Sequence, residues 1–197
     1  MNFKYLGKSN LKVSSYCLGT MTFGETTSES DAHDQINESI SSGINFIDTA
    51  EMYPTCPIRK ETSGETEKII GNWINNNKDK RKDIILATKV VGNGFKYIRD
   101  GGPITKETIK IALQGSLKRL KTDYIDLYQL HWPNRGSYHF RSYWNYKPEK
   151  QDSKNITDEF LDITNTLNDF KKEGLIRAIG VSNETCWGVM KLNEIIK

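Results

Sequence analysis

Polar side chains recur along this sequence at the spacing of a supersecondary unit. Asp48, Lys89, His131 and Ser182 are separated by 41, 42 and 51 residues, and Asn183 follows the last directly. Each closes an apolar run: GINFID, IILATK, YIDLYQLH and IRAIGVS. A phenol, Tyr53, follows Asp48 by five positions, just before Pro54. Such a set suits the delivery of a proton. A phenol with a pKa of about 10 is a poor donor near neutral pH unless its anion is stabilised. A nearby ammonium does that, and a carboxylate keeps the ammonium charged and oriented. An imidazole adds a second donor to the same substrate oxygen. The fitting reaction is one in which an oxygen becomes an alkoxide, as in carbonyl reduction, with the hydride coming from a cofactor. Taken singly, Asp48 could form a turn, Lys89 could be solvated, His131 could sit satisfied in a loop, and Ser182–Asn183 could cap a helix. Their shared position at the ends of successive strands favours the joint reading.

The elements that must position them alternate in kind. A hairpin within the first 14 residues turns at Gly7–Asn10. A helix over 29–42 has Ser28 and Asp31 at its start and Gly43 just past its end, and a strand over 44–48 follows. A helix over 65–77 leads to a strand over 84–89. Thr105 caps a helix that places Ile109, Ala112, Leu113, Leu117 and Leu120 on one face, before a strand over 124–131. Thr157 is expected to cap the next helix, with Ile156 and Leu161 as a hydrophobic staple, Lys171 and Lys172 near its end, and Gly174 as its stop. A strand over 176–182 and a helix opening at Glu184, with Trp187 and Met190, complete the pattern. Four parallel strands joined by three crossover helices predict a doubly wound sheet or a β/α barrel. No GxGxxG follows the first strand, which shifts the expectation to the barrel, where C-terminal strand ends share one mouth.

The composition is globular and the net charge is only +3, too weak a bias to imply nucleic acid or an anionic membrane. No run approaches the roughly 18 apolar residues of a membrane span, and the start lacks a signal-peptide core. Cys17, Cys56 and Cys186 are scattered without a CxxC pair, which favours free thiols in a reducing cytoplasm and gives no zinc spacing.

The blocks DTAEMY, ATK, LHWP and GVSN, together with SGETEKIIG, resemble the signature blocks of the NAD(P)H-dependent aldo-keto reductases, closest to the bacterial Tas-like branch. The resemblance implies a (β/α)8 TIM-type barrel with an N-terminal hairpin. It implies Tyr53 as general acid, Lys89 as the partner that lowers its pKa, Asp48 as the counter-ion of Lys89, and His131 as the residue that orients the carbonyl. It also implies that Ser182 and Asn183 hold the nicotinamide carboxamide, that Gly19, Thr20 and Met21 form the loop under the nicotinamide ribose, and that Asp48 also binds the cofactor. The implied cofactor is NADP(H), with NAD(H) not excluded, and the implied partner is a small carbonyl substrate.

About four of eight β/α units are recognisable, so the expectation is a single partial barrel domain over 1–197, an N-terminal half with impaired cofactor binding. A whole barrel needs about 250 residues. The loop over 134–155 is expected to wall a substrate pocket with Tyr138, Tyr143 and Trp144, and the Gly-rich piece over 92–103 to form a second rim loop. Two other readings stay open: a non-catalytic nicotinamide-binding redox sensor, and a metal-dependent hydrolase using Asp48 and His131, which Lys89 would disfavour. Substrate identity and oligomeric state are not legible.

Overall fold

Along IILATKV every residue is buried, with Ile85, Ala87 and Lys89 turned to one side and Leu86, Thr88 and Val90 to the other. A strand covered on both faces belongs in the middle of a parallel sheet. The computed structural model describes residues 1–139 and 143–196. It contains a two-stranded antiparallel hairpin, β1 (Phe3–Tyr5) and β2 (Lys12–Ser14), and a five-stranded parallel sheet. The sheet comprises β3 (Leu18–Gly19), β4 (Phe46–Asp48), β5 (Ile85–Val90), β6 (Ile125–Leu130) and β7 (Ile176–Val181), neighbouring in chain order. Helices α1 (Glu29–Ser41), α2 (Glu65–Asn76), α3 (Lys106–Leu120) and α4 (Ser153–Lys172) make the crossovers, and α5 (Cys186–Ile195) follows β7. Sequential parallel strands with a helix between each pair form the arc of a β/α barrel, as expected.

Among the described residues the parallel strands number five, not four. The extra one, β3, has only two residues, pairing Leu18 with Ile47 and Gly19 with Asp48. It is too short to show any periodicity.

Two layers of apolar packing fix the sheet. On its outer face Ile47, Leu86 and Tyr128 pack against Ile36, Ile70, Trp73, Ile109, Leu113 and Leu167 from the helices. On the inner face Ile85, Ala87, Leu127 and Ala178 pack with Leu11 and Val13 of the hairpin, which covers the N-terminal end of the sheet. Asn45 ties the hairpin to β4, accepting from the Ser14 amide at 2.8 Å and donating to the Lys12 carbonyl at 3.0 Å. Helices α2 and α3 approach so closely that a Cβ at Gly71 would land on the backbone of Arg119 and Leu120. Only glycine fits there.

Helix caps confirm Ser28 and Thr105, the latter in a reciprocal capping box with Thr108. Two expected starts are corrected. Helix α4 begins at Ser153 because Asp152 accepts from the Lys154 amide at 2.8 Å and the Asn155 amide at 3.2 Å. Thr157 lies inside the helix, its hydroxyl donating to the Ser153 carbonyl at 2.6 Å, and Leu161 is exposed, so no staple forms with Ile156. Helix α5 is capped by Thr185, whose hydroxyl accepts from the Gly188 amide at 3.2 Å, while Glu184 is drawn off into an ion pair with Arg135.

Candidate active site

Parallel register sets the layers of the inner face. Ala87, Leu127 and Ala178 are partners across β5, β6 and β7, and Lys89, Gln129 and Gly180 are partners one layer nearer the C-terminal ends. Asp48 ends β4 opposite Ala87, so its side chain leans up towards Lys89. Beyond the last rungs lie His131, whose amide donates to the Val90 carbonyl, and Ser182, whose amide donates to the Leu130 carbonyl. The strand-end residues singled out in the sequence therefore converge on one mouth.

Lys89 is 5 % exposed, and its ammonium donates to Asp48 Oδ2 at 2.6 Å and to the Thr49 carbonyl at 2.8 Å. The same nitrogen lies 5.0 Å from the centre of the Tyr53 ring. The edge of Tyr53 meets the His131 ring, with centroids 5.7 Å apart and planes at 72°. Tyr53 is fixed through its backbone: its carbonyl accepts from the Gly64 amide at 3.0 Å, and its amide donates to the Ala50 carbonyl at 3.1 Å.

Burial governs the protonation of both rings. It pushes the Tyr53 phenol up to about 12, and the Asp48 charge acts in the same direction. The Lys89 ammonium, paired with Asp48, does not reverse this rise in the resting site. His131 is pushed down to about 3, first by burial and then by the Lys89 charge. At neutral pH the mouth thus holds a protonated phenol and an uncharged imidazole. The His131 Nδ1 is buried and has no partner among the described residues, which leaves Nε2 as the nitrogen open to the mouth.

A cavity of about 820 Å³ opens above these rings. Its apolar wall is Met21, Met52, Ile58, Phe95 and Trp132, with Ser182 and Asn183 on the polar side. The expected walls from the long loop are corrected: Tyr138, Tyr143 and Trp144 point to solvent, Trp144 being 85 % exposed. That loop contributes Ser137 and His139 instead, and its residues 140–142 lie outside the described residues. The rim loop over 92–103 does reach the cavity, through Asn93, Gly94 and Phe95.

The remaining expected residues divide. Asn183 adopts a left-handed backbone, φ 53°, and its side-chain amide donates to the His131 carbonyl at 2.9 Å and to Ser182 Oγ at 3.1 Å. Gly19 is exposed, with nothing within 4 Å of where a Cβ would stand. Met21 lines the cavity. Thr20 is fully buried and donates to the Asp48 carbonyl at 2.9 Å, so it supports Asp48 from behind and does not face the mouth.

Two contributors escaped the sequence reading. Glu51, within DTAEMY, accepts from the Val91 amide at 2.5 Å and from both terminal nitrogens of Arg99 at 2.6 Å. This buried pair clamps the Tyr53 segment to the rim loop, where Arg99 and Asp100 take left-handed φ of 46° and 56°. The available signal was an acid in an otherwise apolar run, which needs a partner when buried. The second is Gln129, whose amide reaches Asp48 Oδ1 at 3.1 Å.

The Aldo/keto reductase family model matches residues 16–197. The chain is 44 % identical over 194 residues to protein tas of Escherichia coli K12, covering 97 % of this chain and 54 % of that protein. It is 35 % identical over 198 residues to the uncharacterized oxidoreductase YrpG of Bacillus subtilis, covering 97 % and 52 %. Among solved structures, the holo form of aldo-keto reductase AKR11C1 from Bacillus halodurans superposes with a TM-score of 0.73 at 34 % identity, covering 98 % of this chain and 54 % of that one. The chain spans about half the length of the curated relatives it matches. Sequence and fold agree over nearly all of its residues, and it belongs to the aldo/keto reductase family.

Proposed function

We propose that this mouth reduces aldehyde or ketone carbonyls to alcohols, with NADP(H) as the first candidate cofactor and NAD(H) as the second. The observation that carries the reading is the Lys89 ammonium, held by Asp48 at 2.6 Å, beneath the ring of a protonated Tyr53. The residues present fit a nicotinamide. Gly19 leaves open space at the edge of the mouth, Met21 offers an apolar surface beside it, and Ser182 and Asn183 bring polar groups suited to a carboxamide. When bound, the nicotinamide supplies the hydride that no side chain carries.

The side chains then handle the proton. Tyr53 holds it at neutral pH and donates it to the substrate oxygen as negative charge grows there. The ammonium of Lys89 stabilises the phenolate that remains, and Asp48 keeps that ammonium in place. Neutral His131 hydrogen-bonds to the same oxygen through Nε2 without adding charge. The aromatic and sulfur-containing wall excludes water from the exchange. The three free cysteines support a reducing, cytoplasmic setting.

The test is titration of the purified chain with NADPH and then NADH, followed by aldehydes and ketones, with the alcohol product quantified. The reading predicts cofactor oxidation matched mole for mole by alcohol. Binding without turnover of any carbonyl would favour the redox-sensing module instead; weakened nicotinamide binding is what a partial barrel leads one to expect, and only its absence at every cofactor concentration tried would remove both readings.

A further inference from the structure

Asp48 has two oxygens, and the Lys89 ammonium takes only one. The other, Oδ1, accepts a hydrogen bond from Gln129 Nε2 at 3.1 Å. An ionised carboxylate only accepts, so the Gln129 amide must present its nitrogen to Asp48 and its oxygen away. Gln129 is the register partner of Lys89 on one side and of Gly180 on the other. A Cβ at Gly180 would stand 3.1 Å from Gln129 Cγ and 3.5 Å from its Oε1, so the missing side chain on β7 makes the room that Gln129 occupies. Without Gln129, the Asp48 carboxylate would be held at Oδ2 alone, because no other side chain donates to Oδ1 among the described residues.

We propose that Gln129 is a positioning residue. It fixes the rotation of the Asp48 carboxylate, so that Oδ2 holds Lys89 beneath Tyr53. This inference rests on the reductase reading only for its kinetic consequence; the geometric claim concerns the chain itself.

The test uses the full chain without cofactor. The Lys89 ammonium, buried and hydrogen-bonded, should give a slowly exchanging NH3+ cross-peak in a 15N-edited spectrum, assigned by its loss in Lys89→Arg. Gln129→Met, which keeps the volume and removes the donor, should broaden that peak. It should also lower kcat about tenfold, the effect of losing one hydrogen bond to a charged group, with KM within twofold. Gln129→Glu supplies a pH signature. Its introduced carboxyl, donating when protonated, should preserve the peak below about pH 5, and once ionised it repels Asp48 and should abolish the peak above that. A peak unchanged in Gln129→Met, or one indifferent to pH in Gln129→Glu, would overturn the proposal and leave Gln129 as filler of the barrel interior. Should Gln129→Met fail to fold, the pH response of Gln129→Glu decides alone. Should the wild type reduce no carbonyl, the ammonium signal still decides the role of Gln129, and the reductase reading falls separately.

Discussion

Asp126 and Asp48 each hold a cation, at opposite ends of the same sheet. Asp126, second residue of β6, is fully buried and accepts from Arg81 at 2.9 Å, Arg177 at 2.6 Å and the Leu86 amide at 3.0 Å. Arg81 in turn donates to Thr122 Oγ1 and the carbonyls of Ile84 and Tyr124, and stacks 4.0 Å from the Tyr124 ring centre. Both carboxylate oxygens there are spent on partners. Asp48, last residue of β4, is bound by Lys89 and Gln129 and sits below a cavity, beside an imidazole nitrogen without a partner among the described residues and a phenol whose shift is set first by burial. The closed network stabilises the architecture, whereas the open one keeps capacity for chemistry. The contrast matches the division of labour between the two faces of a barrel.

Replacing each aspartate should break the comparison most sharply. Asp126→Ala leaves two guanidinium groups and an amide without their acceptor, and should cost about 4 kcal/mol in urea denaturation. Asp48→Asn keeps an acceptor for Lys89, and should cost about 1 kcal/mol while abolishing most turnover. Equal losses of stability at the two sites would erase the distinction.

A smaller effect comes from His131. Its folded value, about 3, lies below its ordinary value of 6.5, so its contribution to stability is present above about pH 6.5 and is lost as pH falls towards 3. Between pH 7 and pH 5 the loss amounts to about 2 kcal/mol. His131→Gln should remove that part of the pH dependence, measured as the difference between the two denaturation midpoints at each pH. Parallel profiles for wild type and variant would show that the ring takes up its proton as readily in the folded protein as in the unfolded chain.

The strand ends were legible because each long strand has a polar residue, Lys89, His131 or Ser182, within one position of its last residue, and the side-chain types limit the chemistry. Where reading failed, the cause was physical. Leu18–Gly19 is too short to carry a period, and it becomes a strand only by pairing with Ile47 and Asp48. Asp152 outcompetes Thr157 as a cap because two backbone amides lie within its reach. Aromatic content suggested Tyr138, Tyr143 and Trp144 as walls, but lining depends on which loop folds inwards, and the Glu51–Arg99 clamp selects the loop that carries Phe95. Gln129 looked like an ordinary strand residue until register set it beside Lys89.

The central claim concerns the proton on Tyr53, and Tyr53→Phe tests it most directly. The variant removes one hydroxyl, and the measurement is the rate of aldehyde-dependent NADPH oxidation with NADPH affinity followed in parallel. The account predicts a fall of about a thousandfold in turnover with cofactor affinity unchanged. Turnover that persists within a few-fold of wild type would contradict it.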